Sequence, residues 1–419
     1  MADFLFACWD GVRHDAARVT GDGKVYLTSL GLVTSIGANI EENWSSLLAG
    51  KSGVRAIKRF DASRYPNATC CAIAQVPEVS FHCAHPLDDA SRILLVAMTE
   101  ALGDRVEERV DAPVFLGTTL GGMDNACHFF RDSLARGVTA DNLPLLKDYI
   151  PYMQARHLQK QFGFRRAPQI VSNACSSSAN AVGLAWLALR SGRTERAVAA
   201  GYDIVSEFVF GGFNALRLVT PDVCRPFDPE RQGMMLGDGA GVMVLETARS
   251  AKAAGRQPIA ELRAYASSVE AYHVTKPHPE GEGAWAVMRD CLAVAALPPE
   301  EVSSVNAHAT GTPQNDLMEA KAISRLFACN PQVTITANKG AIGHTLGAAG
   351  IVEGIFSALS IRDQVVPPTV HTRCALPELA TGTLVIGTPK KDRVEHVLST
   401  SFGFGGTNAA LLFSRSDYA

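Results

Sequence analysis

Two parts of the chain show the same succession of an apolar run, a turn of small residues and a helical apolar pattern. In the first, the strand-like run Gln169–Val171 leads through Cys175 into an alanine-rich segment with apolar residues at helical spacing. These residues are Val182, Ala185, Trp186 and Leu189. About 165 residues later, the strand-like run Val333–Thr336 leads through a glycine loop into a predicted helix near Ala348–Leu359.

A second pair of features repeats at nearly the same offset. The glycine-rich run 237–241 leads into the strand-like Val242–Leu245, and the run 403–408 leads into Ala409–Phe413. Glycine followed by a strand is common by chance. Because two features share one offset, however, we favour a duplicated α/β unit. Strands that alternate with helices predict α/β layers.

The chain is predicted to have two halves behind a short extension. Residues 1–24 are polar and show no clear period, so they form the predicted N-terminal extension. Ordered sequence begins at Val25 with a strand, and a short helix over residues 43–48 follows. The charged stretch 246–258 is the natural boundary between an N-terminal half, 25–257, and a C-terminal half, 258–419.

Composition narrows the class of protein. The 419 residues are 47% hydrophobic and 19% charged, an ordinary globular balance, and the net charge of −3 gives no global basic field for nucleic acid or anionic membranes. No apolar stretch reaches the roughly 18 residues of a membrane span, and the N-terminus lacks the basic region of a signal peptide. The ten cysteines have no metal-ligand spacing, so we expect reduced thiols and a cytoplasmic protein.

Cys175 is the strongest candidate for chemistry. It lies at a predicted strand-to-helix turn among small residues, where a substrate can approach and the helix N-terminus favours a thiolate. On position alone, a buried structural cysteine is an equally good interpretation. Two histidines in glycine- and threonine-rich loops, His308 and His344, shift the balance towards a covalent acyl-transfer site.

The residues around these histidines suggest what the loops bind. The hydroxyls of Thr310 and Thr312 suit an amide-bearing arm such as pantetheine. Asp316 and Glu319 lie three apart on one predicted helix face, although acids at a solvated helix start would look the same. The order of Lys339 and its glycines does not match a phosphate-binding loop, so nucleotide binding is not favoured.

The glycine-dense run 403–408 is too rich in glycine for a strand interior. It predicts either a tight hairpin turn or a loop that presents backbone N–H groups to an oxyanion.

Several motifs occur together in one order along the chain. They are the Ala-Cys-Ser-Ser turn at 174–177, Arg-Pro-Phe-Asp at 225–228 with Gly-Asp-Gly-Ala-Gly at 237–241, the His308 loop, Lys-Gly-x-x-Gly-His at 339–344 with Gly-Ala-Ala-Gly at 347–350, and Phe-Gly-Phe-Gly-Gly-Thr-Asn at 402–408. From about Val25 to Phe413 the chain thus resembles the elongating β-ketoacyl-acyl carrier protein synthases of the thiolase superfamily. No single motif is specific, but the ordered set is.

The resemblance implies a fold and a reaction. The expected fold is five-layered, αβαβα, and is built from two similar halves, usually in a dimer. The expected reaction is the decarboxylative condensation of malonyl-acyl carrier protein with an acyl chain held on Cys175. No cofactor is expected, because the substrates arrive on the phosphopantetheine of the carrier. The chain is expected to pair as a homodimer, or as a heterodimer with a related synthase-like subunit.

The resemblance also implies roles for individual residues. His308 and His344 would hydrogen-bond the malonyl thioester, and Lys339, partnered by Glu319, would support their electrostatics. The N–H groups of Cys175 and Phe404 would form the oxyanion hole. Thr310 and Thr312 would hold pantetheine, Phe404 would gate the acyl pocket, and Phe213 would line it. Asn306, Glu353 and Ser399 match positions that surround a structural monovalent cation in some relatives.

Some positions depart from the family pattern. Ala309 stands where glycine usually follows the first histidine, and Ser172 and Asn173 replace the common Asp-Thr. Arg217 matches a common carrier-docking arginine, and Lys58, Arg59 and Arg64 are further candidates for this docking surface. These departures suit a specialised polyketide or polyene pathway as well as fatty-acid synthesis.

Three related functions fit less well. A thiolase would need a second cysteine near the last glycine loop, and residues 399–406 contain none. An initiating synthase would have asparagine in place of His344. A noncatalytic chain-length partner would lack the nucleophile.

Overall fold

A mixed β-sheet runs through the whole molecule. The computed structural model describes residues 23–81, 86–103 and 110–417. The strands are β1 (Val25–Thr34), β2 (Arg55–Ala56), β3 (Thr69–Cys70), β4 (Val114–Gly117), β5 (Gln169–Val171), β6 (Arg196–Asp203), β7 (Gly239–Thr247), β8 (Ala260–Val269), β9 (Ser304–Asn306), β10 (Thr334–Thr336), β11 (Val365–Val366), β12 (Thr383–Leu384), β13 (Lys390–Lys391), β14 (His396–Gly403) and β15 (Thr407–Ser414). Eleven of them form one sheet in the order β12-β10-β9-β14-β15-β8-β1-β7-β6-β4-β5.

The sheet consists of two copies of one topology. Counted inwards, the first half runs β5-β4-β6-β7-β1 and the second runs β10-β9-β14-β15-β8, with the short strand β12 added outside β10. In both copies the outer three strands are parallel and the inner pairings are antiparallel. The copies join where β1 pairs with β8. The duplication predicted from equal sequence offsets is therefore confirmed.

Helices complete the layers. They are α1 (Ile40–Leu48), α2 (Asp89–Leu102), α3 (Met123–Arg136), α4 (Pro151–Phe162), α5 (Ser177–Arg190), α6 (Glu207–Ala215), α7 (Ala248–Ala253), α8 (Glu282–Val294), α9 (Pro313–Leu326), α10 (Lys339–Ile342) and α11 (Ala349–Asp363). Helix α2 covers one half of the sheet, and α8 covers the other. Helices α5 and α11 contact each other and strands of both halves, so they form the central layer. This arrangement is the predicted five-layered fold.

The central helices are predominantly apolar because they pack between the two halves of the sheet. The predicted face of α5, which includes Val182 and Ala185, is buried, and α11 is buried from Ala349 to Ile361. The two helices cross closely at Gly350, where a Cβ atom would lie 2.6 Å from the Cβ of Ala179. Only glycine allows this approach, and the crossing fixes the N-terminal ends of both helices relative to each other.

The sequence located most elements within a few residues. Strand β5 has the predicted bounds, whereas the helix expected at 43–48 begins at Ile40, where Asn39 accepts a capping hydrogen bond from the Glu42 N–H at 2.9 Å. Of the predicted extension 1–24, residues 1–22 lie outside the described residues. No helix within the described ranges is long and apolar enough to cross a membrane.

Candidate active site

Cys175 lies on a tight turn between β5 and α5. Ala174 adopts a positive φ of 55°, and the helix begins two residues after the cysteine. The start of α5 packs closely against β4 and β6, where glycines leave room for it. A Cβ on Gly117 or Gly201 would lie within 2.5 Å of an atom of Ser178. The sequence prediction of a strand-to-helix turn is correct, and the thiol is buried with 8% exposure.

His344 faces this thiol with a defined nitrogen. Its backbone N–H donates to Met235 O at 2.6 Å, and its Nδ1 accepts the Leu346 N–H at 3.3 Å. In the neutral ring the proton therefore resides on Nε2, which lies 3.1 Å from Cys175 Sγ. His344 is thus arranged to donate a hydrogen bond towards the cysteine and not to remove its proton.

His308 is polarised from behind by a buried lysine. The two histidine rings lie edge to face with their centroids 5.2 Å apart. Lys339 Nζ lies 3.2 Å from His308 Nδ1, so the ammonium donates to that nitrogen and leaves the proton of His308 on Nε2. The same ammonium forms an ion pair with Glu353, and both side chains are almost fully buried.

The carboxylate partner of Lys339 is thus Glu353 and not the predicted Glu319. Glu319 lies on α9 and is fully buried. It accepts the N–H groups of His308 at 2.8 Å and Ala309 at 2.7 Å, and the Thr400 hydroxyl at 2.8 Å. Glu319 therefore holds the backbone of the His308 loop and does not line the cavity, contrary to its predicted place among the substrate-binding residues.

Two neighbouring residues also bear on the backbone of this loop. Asp316 is buried as well and accepts the N–H groups of Phe227 at 2.8 Å and Gly311 at 3.1 Å, so the interpretation as a solvated helix start is wrong. Ala309, the residue that departs from the family's glycine, has a φ of 24°. Its backbone thus adopts a conformation that glycine accepts more easily.

Burial controls the protonation states in the site. It raises the pKa of the Cys175 thiol to about 11, against the opposing effects of the Lys339 charge and the N–H groups of Phe404 and Cys175. The expected preference for a thiolate at the helix N-terminus is therefore outweighed. Burial, reinforced by the Lys339 charge, lowers the pKa of both His308 and His344 well below the ordinary value. At neutral pH the group consists of a thiol and two neutral imidazoles.

A cavity of about 330 Å³ leads to these three side chains. Thr310 and Thr312 line it, with their hydroxyl oxygens 2.9 Å apart. Phe213 and Phe404 line it as well, and their ring centroids are 5.8 Å apart. The structure thus brings these four predicted substrate and gating residues to the same cavity as Cys175.

Residues Phe404, Gly405 and Gly406 form the turn between β14 and β15. Gly405 and Gly406 have φ of 83° and 76°, and Gly403 lies close enough to the nucleophile turn that its Cβ would be 3.3 Å from Cys175 N. The run is therefore a tight hairpin, and the same hairpin brings the Phe404 N–H to the thiol. The two interpretations of the sequence are compatible.

The predicted cation position contains oxygen atoms that could act as ligands. Asn306 and Ser399 are register partners on β9 and β14, and both are buried. Asn306 Oδ1 and Glu353 Oε2 are buried oxygens without a hydrogen-bond partner. Unpaired oxygens of this kind suit a monovalent cation, which would offset the Glu353 charge. Among the described residues, no group of three or more histidine, cysteine or acidic side chains could hold a metal ion.

The candidate docking residues separate into two groups. Arg217 and Lys58 are exposed, and Arg217 lines the mouth of the cavity. Arg64 pairs with Glu207 at the start of α6. Arg59 has only 14% side-chain exposure and pairs with Asp238 through two hydrogen bonds of 3.2 and 3.0 Å, so it is a structural residue and not a docking residue.

Sequence reasoning missed Asp203, which joins the two halves. This buried carboxylate accepts the Thr118 hydroxyl at 2.7 Å and the N–H groups of Thr119 at 2.9 Å and Gly347 at 2.7 Å. Gly347 follows the His344 loop, whereas Asp203 ends β6 in the other half. The signal in the sequence that could have indicated a buried acid is the run of apolar residues that ends at Asp203.

The chain matches known proteins along nearly its whole length. Residues 22–251 match the model of the β-ketoacyl synthase N-terminal domain, and residues 259–373 match that of the C-terminal domain. A 3-oxoacyl-[acyl-carrier-protein] synthase 2 of Staphylococcus aureus is 31% identical, over 94% of this chain and 98% of the relative. A putative mitochondrial 3-oxoacyl-[acyl-carrier-protein] synthase of Schizosaccharomyces pombe is 29% identical, over 94% and 99%.

Solved structures agree with these matches. The ishigamide ketosynthase/chain length factor has a TM-score of 0.86 and 30% sequence identity, over 94% of this chain and 99% of that chain. A β-ketoacyl synthase from Burkholderia phymatum has a TM-score of 0.82 and 25% identity, over 94% and 99%. The match to both domain models and to full-length relatives, together with the fold, shows that this chain belongs to the β-ketoacyl synthase family.

Proposed function

We propose that the protein is a β-ketoacyl-[acyl carrier protein] synthase that joins a malonyl unit to an acyl chain held on Cys175. The observation that carries this proposal is the donor arrangement around one thiol. The Nε2 atom of His344 lies 3.1 Å from Cys175 Sγ, and the ring of His308 is oriented by Lys339 at 3.2 Å. Both imidazoles are neutral donors at the bottom of a cavity with two threonine hydroxyls.

In the first half-reaction, Cys175 takes the acyl group from the pantetheine thiol of a carrier protein. The new bond joins Cys175 Sγ to the acyl carbon, and the bond from that carbon to the carrier sulfur breaks. The thiol proton passes to the departing carrier thiolate, because His344 Nε2 already carries a proton and is not available as a base. The N–H groups of Cys175 and Phe404 would hold the intermediate oxyanion.

In the second half-reaction, the malonyl thioester loses CO₂. The electron pair of the breaking C–C bond forms an enolate, and its oxygen accepts hydrogen bonds from Nε2 of His308 and His344. Acylation prepares this step, because a thioester sulfur is a weaker acceptor than the free thiol and releases the His344 N–H. Lys339 keeps the proton of His308 on the nitrogen that faces the cavity.

The enolate carbon then attacks the acyl carbon on Cys175. The new oxyanion forms at the N–H groups of Cys175 and Phe404, it collapses as the bond to Sγ breaks, and the cysteine thiolate takes up one proton from solution. The products are CO₂, the free enzyme and a carrier-bound 3-oxoacyl chain two carbons longer. Each step uses side chains of the protein and the two thioesters, so we propose that no further cofactor takes part.

The partner in this reaction is an acyl carrier protein, whose pantetheine arm would lie against Thr310 and Thr312. Arg217, at the mouth of the cavity, would bind the acidic carrier surface, and Lys58 and Arg64 are further candidates for this surface. A relative of 23% identity was solved as a ketosynthase with its carrier protein, and its fold matches this chain with a TM-score of 0.83. We place the enzyme in the cytoplasm, where thiols such as Cys175 stay reduced.

A second candidate function is the catalytic subunit of a specialised polyketide or polyene synthase. In that case the chain would pair with a related subunit that lacks the nucleophile. The likeness to the ishigamide ketosynthase/chain length factor supports this candidate, because its identity of 30% is close to the 31% of the 3-oxoacyl-[acyl-carrier-protein] synthase 2. Purification of the chain alone, with a test for condensation, distinguishes the two: an active single-gene product supports the homomeric enzyme.

The central test is a comparison of Cys175→Ala with the unaltered enzyme. The variant should lose condensation, yet it should retain some malonyl decarboxylation through the histidines. Incubation with acyl carrier protein and intact-mass analysis should show one acyl group on the wild type and none on the variant. Cys374→Ala, which removes an exposed thiol, is the matched control and should keep both activities.

The histidines act on the malonyl step in this scheme. His344→Ala should still form acyl-Cys175 but should decarboxylate malonyl carrier protein about 10²–10³-fold more slowly, the usual loss for one oxyanion donor. Acylation of another cysteine, or normal decarboxylation by both His308→Ala and His344→Ala, would contradict the proposed roles.

A further inference from the structure

We propose that Lys276 binds the phosphate of the pantetheine arm at the entrance of the cavity, and so makes the enzyme select phosphorylated arms. This inference rests on the proposed function, because it assigns a ligand group to the same cavity. The anion is a phosphate ester at the head of pantetheine, which both a carrier protein and coenzyme A contain.

The charge distribution along the cavity supports this assignment. The inner end contains the neutral imidazoles and the thiol. The cationic side chains that line its outer part are Arg217 and Lys276, and both are exposed. His273 lines the same part. A substrate whose reacting thioester is uncharged and whose far end is anionic matches this gradient.

Neither cation is neutralised by the protein. Across residues 23–81, 86–103 and 110–417, no acidic side chain lies within ion-pair distance of Lys276 or Arg217, whereas other surface lysines such as Lys321 pair with a carboxylate at 2.9 Å. The carboxyl of Glu270 lines the cavity too, but it is a single acid against these two cations. The entrance therefore has a net positive charge.

The backbone at Lys276 is held in place. The N–H groups of Thr275 and Lys276 both donate to Nδ1 of His273, at 3.0 and 3.2 Å, which closes a turn. The same segment is tied to the Phe404 hairpin, since the Gly405 N–H donates to Val274 O at 2.8 Å. Lys276 thus lies on a turn whose backbone is fixed beside the cavity.

Lys276 and Arg217 have different tasks in this proposal. Arg217 follows α6 and faces the carrier protein, so its loss should weaken carrier-bound substrates only. Lys276 faces the arm, so its loss should weaken any substrate with the phosphate. Thioesters of pantetheine with and without phosphate separate these effects, because neither contains a protein surface.

The experiment measures decarboxylation of malonyl-pantetheine, malonyl-4′-phosphopantetheine, malonyl-CoA and malonyl carrier protein. Lys276→Met should raise KM for malonyl-phosphopantetheine about fivefold, the size expected of one exposed ion pair, with kcat unchanged. It should leave malonyl-pantetheine unaffected. Lys276→Arg should restore the wild-type KM, and Lys252→Met, an exposed lysine away from the cavity, is the matched control.

Several results would overturn the assignment. Equal loss with and without the phosphate would show that Lys276 serves the fold or the loop. A greater loss with malonyl-CoA than with malonyl carrier protein would assign the site to coenzyme A and not to the carrier's arm. Absence of decarboxylation with every thioester in the wild type would instead contradict the proposed function itself.

Discussion

The buried pair of Lys339 and Glu353 shows how single residues balance stability against chemistry. The ammonium must stay charged to keep the His308 proton on Nε2, and the buried carboxylate offsets that charge. Nevertheless, burial raises the pKa of Glu353 to about 7, although Lys339 opposes the shift. An ionised Glu353 is therefore a cost to folding that the reaction requires.

This cost predicts how stability depends on pH. An acid whose pKa is higher in the folded than in the unfolded protein adds stability at low pH, and that stability is lost as pH rises through the folded value of about 7. Glu353→Gln cannot ionise, so the free energy of unfolding should fall less between about pH 5 and 7.5. Compared with the wild type, the plot of this free energy against pH should be less steep by up to ~1.4 kcal/mol per pH unit, the value for one proton. Urea unfolding at several pH values measures the free energy.

Malonyl decarboxylation gives the second readout of the same variant. It should fall at least about tenfold at pH 7.5, because the charge of Lys339 is no longer offset. Glu378→Gln removes an exposed carboxylate and should change neither quantity. An unaltered pH slope in Glu353→Gln would mean that Glu353 is ionised at every pH in this range.

At the scale of elements, we expect the turn between β14 and β15 to move when an acyl chain binds. This turn lines the cavity, carries Phe404 against Phe213 and supplies one N–H of the proposed oxyanion hole. Two glycines of the turn differ in their surroundings. A Cβ on Gly405 would meet nothing within 4 Å, whereas one on Gly406 would lie 2.9 Å from Glu270 Cγ.

This difference makes a matched pair of variants. Both Gly405→Ala and Gly406→Ala place a side chain at positive φ, which costs roughly 1–2 kcal/mol. Gly406→Ala adds the contact with Glu270 and should slow acylation of Cys175 several-fold more than Gly405→Ala. Phe404→Ala should keep acylation, because its backbone N–H remains, but should change the preference among acyl chain lengths. Burst-phase acylation with a series of acyl carriers measures all three.

Crystal structures with and without an acyl group on Cys175 test the gating directly. The hairpin should differ between them, and Phe404 should leave the acyl path in the acyl-enzyme. An identical rotamer and backbone in both states would contradict gating, although the roles proposed for Cys175 and the histidines would stand.

The elements also show what the sequence could and could not predict. The turn at Cys175, the histidine loops and the hairpin are local structures. Their glycines, threonines and apolar runs were therefore sufficient to predict them. The partner of Lys339 was not predictable, because it depends on how α10 meets α11. Likewise, the i, i+3 spacing of Asp316 and Glu319 suggested a solvated face, whereas the loop 307–311 folds back over that turn of α9 and buries both acids.

For the whole molecule, the sheet ends at an exposed strand. Strand β5 has one free edge, and Ile170 on it is 37% exposed. Leu184 and Leu187 on the adjacent α5 are exposed as well, and so are Phe130 and Leu134 on α3. Because an apolar edge of this kind favours pairing with another chain, we expect β5 and α5 to form a dimer interface.

Charged residues on this face should therefore separate the dimer. The wild type should have twice the 44.6 kDa mass of one chain, and Leu184→Asp with Leu187→Asp should give single chains at the same concentration. Val294→Asp, at an exposed apolar position on α8, is the control and should remain dimeric. Analytical ultracentrifugation gives the masses, and a dimeric double variant would place the interface elsewhere.

The crossing of α5 and α11 has a consequence for how such an enzyme can diversify. Gly350 and Ala179 lie near the beginnings of these helices, and the Cys175 turn and the His344 loop lead into them. The distance between nucleophile and donor is thus decided at an interior contact that no substrate reaches. In the proposed scheme, selectivity depends instead on Phe213, Phe404 and Lys276. Libraries restricted to those three positions should therefore explore new substrates while the reactive geometry is inherited unchanged.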